Sequence, residues 1–155
     1  MDFILVGGLA AVIQGAPITT MDVDIVYNKS SENVAKLFMF LDSEEAFYRR
    51  LDDKLIKPKE KDLLGGGHHL LKTRLGPLDV LAVIEGERTY WDLLDHTVEI
   101  GFRGYLLRVL DLNTLIHLKR SSTDLKDKQR LPLLKETLRQ LKEKDGSEDD
   151  KEDTV

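Results

Sequence analysis

The sequence contains no cysteine, which excludes disulfides, thiolate metal sites and cysteine nucleophiles. Any metal must therefore be held by oxygen or imidazole. Nor is there an apolar run near the roughly 18 residues that a membrane span requires. The apolar opening from Phe3 to Val6 lacks the basic flank and the length of a secretory signal. No membrane association is expected, and the cytoplasm is the expected location. Internal repeats are absent as well. An excess of positive charge is also missing, the formal net charge being −5. Residues 142–155 hold seven acids against three bases, which leaves 20 basic and 21 acidic residues in the body. A nearly neutral body argues against a dedicated duplex-DNA binder, whose affinity comes largely from a basic surface facing phosphates.

What is present fits one globular domain. The 155 residues are 41% hydrophobic and 33% charged, enough to bury a core. The expected organisation is a domain over 1–141 followed by an acidic tail, 142–155, too poor in apolar residues to fold. Asp2 to Val6 reads as a buried strand, ended by Gly7-Gly8 before a short helix over Leu9 to Ile13. Asp22 to Tyr27 alternates polar and apolar residues, so Asp22 and Asp24 share one strand face and Val23 and Ile25 the other. Ser30 or Ser31 caps a helix through Leu37 and Leu41, with a second turn or a continuation toward Leu51. Lys54 to Lys61 is an edge strand or a loop, and Gly65-Gly-Gly67 is irregular backbone. His68 to Leu75 and Leu78 to Ile84 form a β-hairpin, with Asp79 at the start of its second arm. Thr89 caps a short helix, strands follow near 98–102 and 105–109, and Asp111 caps a helix over Leu112 to Arg120. Thr123 or Asp124 starts a last helix through Leu138.

Two carboxylates one residue apart on a strand project together, a spacing suited to gripping hard cations through oxygen. Left without a counter-ion, such like charges raise one another's pKa. Asp79, in an apolar strand of its own, is the best third carboxylate. Three such groups would serve two Mg²⁺ (or Mn²⁺) ions in phosphoryl transfer. The Gly7-Gly8 turn before a helix allows backbone amides to approach phosphate oxygens. The bland reading of each piece is an acid on the exposed face of a strand or an ordinary turn; it is their combination that points to a site.

Val-Gly-Gly-Leu-Ala, followed after a short helix by Thr-Thr-Met-Asp-Val-Asp-Ile, resembles the signature of the DNA polymerase beta-like nucleotidyltransferase superfamily. The resemblance is to the small bacterial branch that includes AbiEii-type toxins and minimal nucleotidyltransferases. Leu118-Lys119 and Lys126-Asp127, ahead of Leu131-Pro132, are similar to the branch's C-terminal helical motif. The resemblance implies an α+β nucleotidyltransferase fold, a small mixed sheet flanked by helices with further helices at the C-terminus. It implies magnesium dependence and transfer of a nucleoside monophosphate from a nucleoside triphosphate to tRNA, a protein or a small molecule. By the same resemblance Asp22, Asp24 and Asp79 are the metal ligands and catalytic carboxylates, and Gly7, Gly8, Thr20 and Lys119 contact the nucleotide. Relatives often carry a histidine where Gln14 stands, an arginine near Ile18 and an acid in place of Arg130. The alternatives are a catalytically weakened nucleotide-binding or protein-interaction module, with a partner protein as in a toxin–antitoxin pair, and a magnesium-dependent phosphohydrolase.

Other polar residues have two readings each. Adjacent His68 and His69 point to opposite strand faces, so one of them contacts substrate or metal, or both are structural. Lys119 reaches a phosphate or snorkels along its helix. Lys126 and Asp127 contact substrate, or are the solvated face of an amphipathic helix.

Overall fold

The strand expected at the start of the chain is central to the sheet. β1 (Phe3–Val6) lies antiparallel to β2 (Val23–Tyr27) and parallel to β9 (Tyr105–Leu110). A computed structural model describes residues 1–152, with side chains over 1–146. Its main sheet, among the described residues, has seven strands in the order β3-β4-β5-β2-β1-β9-β8. β4 (His68–Thr73) pairs antiparallel with β5 (Gly76–Leu81), which runs parallel to β2. β3 (Phe47–Tyr48) and β8 (Thr97–Phe102) are the two edges. Side chains alternate across a strand. The β1–β2 register therefore sends Phe3, Leu5, Ile25 and Tyr27 to one face and Ile4, Val6, Asp24 and Val26 to the other.

The helices cover the two faces unequally. α1 (Gly7–Ile13) follows β1 with no intervening loop, two residues earlier than expected because Gly7 itself makes the turn with φ at 69°. α2 (Ser31–Ser43) starts where Ser30 Oγ accepts the Asn33 amide, and it buries Val34, Leu37 and Leu41. On the same face, Tyr27 Oη donates to the Leu63 carbonyl of α3 (Glu60–Leu64) at 2.5 Å. Between α1, α2 and this face runs an apolar groove of about 440 Å³ whose walls include Leu9, Ile25, Phe40 and Phe102. α4 (Tyr90–Leu93) has the expected Thr89 cap, and α5 (Leu112–Arg120) the expected Asp111 cap. α6 (Leu125–Glu152) completes the chain and packs on α5.

Three local expectations give way, and a fourth, the loop reading of the stretch from Lys54, holds as far as Lys59. The helix α2 does not continue toward Leu51: Glu45 takes a left-handed φ of 54° and the chain turns into β3. The segment before Lys61 is a loop that leads into α3, where Leu63 is buried against the core. The second hairpin arm does not reach Ile84; β5 stops at Leu81, and β6 (Val83–Ile84) pairs instead with β7 (Arg88–Thr89) as a separate ribbon. Finally, α6 passes Leu138 and Lys142 without a break to Glu152, whereas the sequence was expected to be unfolded from Lys142. Lysine and glutamate favour helix, and Arg139 pairs with Glu136 and Glu143 one turn on either side. Residues 153–155 of the expected tail lie outside the described residues.

Asn33 ties α2 to the start of β1. Its amide donates to the Asp2 carbonyl at 2.9 Å and the Asn28 carbonyl at 2.7 Å, and its Oδ1 accepts from the Asp2 amide at 2.6 Å. Asn33→Ala leaves those backbone groups without partners. It should lower unfolding free energy by about 2–3 kcal/mol, read as a lower urea midpoint with an unchanged m-value.

Candidate active site

Asp24 and Asp79 are brought together by strand register. β2 and β5 run parallel with Asp24 directly beside Asp79 and Val23 beside Leu78. Burial pushes the Asp24 carboxyl up to about 7, and the Asp79 carboxyl adds to this both by its charge and by sharing a hydrogen bond. The charge of Asp22 raises it further, and Lys119 pulls against the rise. Asp24 Oδ1 is buried and has no hydrogen-bond partner. Asp22 precedes β2 and is half-buried, acting on Asp24 through its field.

This geometry fits a divalent cation. A buried carboxylate oxygen without a donor, beside a second carboxylate, is a place where a cation replaces a missing proton. Among the described residues, no three acidic or imidazole side chains converge closely enough to hold an ion by themselves. The expected three-carboxylate cage is here a pair, Asp24 and Asp79, with Asp22 to one side. Mg²⁺ is commonly bound in this way, through one or two carboxylates, the other positions going to water and substrate phosphate.

The two glycines are explained by what stands next to them. A Cβ on Gly7 would lie 2.2 Å from Asp24 Oδ2, and the residue also has a left-handed φ. Only glycine permits both the turn and the close approach of Asp24. Gly8 is buried, and a Cβ there would lie 2.9 Å from Thr20 Oγ1 and 3.3 Å from Arg130 Nη1. Thr20 in turn donates to the Asp22 carbonyl at 3.3 Å, and Arg130 donates to the Thr19 carbonyl. Thr20 and Arg130 thus fix the approach to Asp22 and Asp24.

Val6, Gly7, Asp24, Lys119 and Asp127 line one cleft of about 200 Å³. Lys119 Nζ donates to Asp127 Oδ1 at 2.8 Å, and Ser122 Oγ donates to Asp127 Oδ2 at 2.7 Å. Asp127 is held below the usual carboxylate range, burial being outweighed by these two hydrogen bonds and the nearby cations. It thereby fixes Lys119, whose charge favours the ionised form of Asp24. Of the other expected contacts, Lys126 is exposed, its amide donating to the α6 cap Asp124. His69 is buried between the Tyr48 hydroxyl and the Gly66 carbonyl, each at 2.8 Å from a ring nitrogen. His68 Nε2 donates to the Val83 carbonyl at 3.0 Å. Both rings are thus hydrogen-bonded around the glycine run.

Two residues were not anticipated. Arg49 Nη2 lies 2.6 Å from Asp79 Oδ1, while its Nη1 donates to the Leu71 carbonyl at 3.0 Å. Glu85 lines the same cleft as Lys119. Neither belongs to a local pattern; each arrives through a loop whose path depends on the sheet.

Among solved structures the chain is similar to the lincosamide antibiotic adenylyltransferase LnuA in its lincomycin-bound form. The sequences are 14% identical, with a TM-score of 0.55 over 86% of this chain and 85% of that one. The chain has the nucleotidyltransferase fold. No protein-family model matches the sequence, and no curated protein matches it. The expected α+β class with a mixed sheet and C-terminal helices is thus the observed one, and in the nucleotidyltransferase fold seen here the paired aspartates occupy adjacent central strands.

Gly7→Ala should cost about 2 kcal/mol or more, since a left-handed φ alone costs about 1–2 kcal/mol and Asp24 must also move. Gly104, left-handed but facing open space, supplies the control: Gly104→Ala should lose about 1 kcal/mol and leave Mn²⁺ binding intact, whereas Gly7→Ala should weaken it. Equal losses in the two variants, by calorimetry and metal titration, would contradict the close-approach argument.

The raised Asp24 carboxyl also predicts a pH dependence. An unfolded aspartate releases its proton near pH 4, about three units lower than in the fold. The native state binds more protons in that window, so stability falls as pH rises from about 4 to about 7. Asp24→Asn should flatten this fall. Mg²⁺ should raise the melting temperature more at pH 8 than at pH 6 in the parent and in neither condition in the variant.

Proposed function

We propose that the protein is a metal-dependent nucleotidyltransferase, which moves a nucleoside monophosphate from a nucleoside triphosphate to an acceptor. The observation that carries this reading is Asp24, paired with Asp79 and lacking a donor at Oδ1, in a cleft that also holds Gly7 and Lys119. The likeness in fold to an adenylyltransferase supports it.

Asp24 and Asp79, with Asp22 beside them, would hold the ions. Mg²⁺ or Mn²⁺ bound there supplies charge neutralisation for the triphosphate and lowers the pKa of the attacking hydroxyl. Lys119, positioned by Asp127, would neutralise phosphate charge in the same cleft, and Gly7, by having no side chain, lets Asp24 stand beside the start of α1, with Thr20 and Gly8 holding the turn behind it. The acceptor oxygen forms a bond to the α-phosphorus while the bond from that phosphorus to the bridging oxygen breaks. Pyrophosphate leaves with that electron pair, and the hydroxyl proton passes to Asp79. The acceptor classes are a small molecule, as the lincomycin-bound neighbour would parallel, tRNA or a protein, and the nucleotides are those of the cytoplasm.

A second reading has an observation of its own. Arg49 occupies Asp79 through a 2.6 Å ion pair, as it would in a weakened, nucleotide-binding relative that acts through a partner protein, such as one half of a toxin–antitoxin pair.

Incubation with Mg²⁺ or Mn²⁺ and each labelled nucleoside triphosphate tests both. Under the first reading, label reaches an acceptor and transfer drops at least 100-fold in Asp24→Asn and Asp79→Asn, the scale of losing one electrostatic contact to a transition state. Nucleotide binding without transfer, with transfer gained in Arg49→Ala, marks the second reading. Free mono- or diphosphate as the sole product would refute transfer and indicate hydrolysis.

A further inference from the structure

A second cleft, of about 380 Å³, lies on the flank of α5 away from Lys119. Its basic side chains are Arg88 from β7, His96 from the turn after α4, and His117 and Arg120 from α5. Most arginines in this protein are matched: Arg49, Arg50, Arg74, Arg108 and Arg139 each pair with a carboxylate. The two arginines of this cleft are not. Arg88 donates to the Glu85 carbonyl and makes no ion pair, its charge acting on Asp92 only at a distance. The side chains of Arg120, His96 and His117 have, among the described residues, neither a hydrogen bond nor an ion pair.

The one acid in the cleft is already engaged. Asp92 accepts from the Thr89 amide at 2.9 Å and the Thr89 hydroxyl at 3.0 Å, closing the capping box of α4, and these bonds, with the charge of Arg88, hold its carboxyl below the usual range. Leu93 and Ile116 provide an apolar wall, and Thr114 adds a hydroxyl. Two guanidinium groups, two imidazoles and an apolar wall in a cleft of this size match the recognition of a small organic anion.

We propose that this cleft binds a small phosphate monoester, separately from the carboxylate site. A guanidinium meets a phosphate through paired N–H donors, and a dianion would satisfy both arginines at once. The size of the ligand follows from charge. A long polyanion would meet the repulsion of a protein with net charge −5, whereas a small dianion feels chiefly the two guanidinium groups, with the imidazoles beside them as hydrogen-bonding groups. The two clefts share α5, whose Lys119 faces one and whose His117 and Arg120 face the other. Binding does not depend on nucleotidyl transfer.

The chain has only four histidines, so ¹⁵N-histidine spectra of the whole protein report on the cleft directly. With ribose 5-phosphate as the probe, in chelator to keep the carboxylate site free of metal, the His96 and His117 rings should shift with saturation. The His68 and His69 rings should not. Ribose should shift none of them. Arg88→Gln and Arg120→Gln, both on the surface, should each weaken the titration about tenfold while leaving the rest of the spectrum in place. Asp24→Asn should bind as the parent does, which separates this proposal from the transferase reading. Shifts equal with ribose, equal across all four rings, or undiminished in the Arg88→Gln/Arg120→Gln double variant would overturn it. Inorganic phosphate binding as tightly as the ester, or a ten-nucleotide RNA binding more tightly, would overturn the assignment to a small phosphate monoester.

Discussion

The register in which β2 lies between β1 and β5 decides what every other part of the site can do. β2 has Val6 opposite Asp24 on one side and Asp79 beside Asp24 on the other. Because side chains alternate with a period of two, a slip of one residue in either pairing would turn Asp24 into the face packed by α2 and α3. Ile25, Val26 and Tyr27 in the buried half of β2 oppose such a slip, since they must match Leu5, Ile4 and Phe3. The carboxylate pair is thus set by the burial of its apolar neighbours. Gly7 follows from the same constraint: with Asp24 fixed at the end of β1, the residue that turns the chain into α1 must have no side chain.

The electrostatics of the site are arranged around a deficit. Two half-buried carboxylates in contact are unfavourable together, and the protein compensates only in part. Lys119 acts on Asp24 through its charge, Arg49 pairs with Asp79 from the loop after β3, and Asp127 and Ser122 fix where Lys119 points. The cations that offset the pair come from α5 and from that loop, so both the C-terminal helices and the β3 edge contribute to one charge balance. Arg130 extends the link, reaching from α6 to the backbone just ahead of Asp22.

The parts of the fold legible in the sequence are those governed by short-range rules. The alternation in Asp22 to Tyr27, the Ser30, Thr89 and Asp111 caps and the paired strands around Gly104 all depend on residues within a few positions of one another. The nucleotidyltransferase fold was legible through the Gly-Gly and Asp-x-Asp segments together. β5 ends at Leu81 because Val83 and Ile84 pair in a tight local ribbon with Thr89 and Arg88. Elsewhere a distant contact decides: α3 forms over the Tyr27 hydroxyl, and His69 is taken by Tyr48. Arg49 and the cleft beside His117 were invisible for the same reason: their members lie tens of residues apart in sequence and no spacing rule connects them.

The alternation that points Asp24 one way points Val23 and Ile25 the other, into the apolar groove beneath α1 and α2. The sheet therefore acts as a partition between two surfaces that respond to substitution independently. Changes in Phe40, Leu9 or Phe102 alter the shape of the groove while the hydrogen-bonded backbone holds the carboxylates where they are. One side of the sheet can therefore be remodelled without displacing the carboxylates on the other.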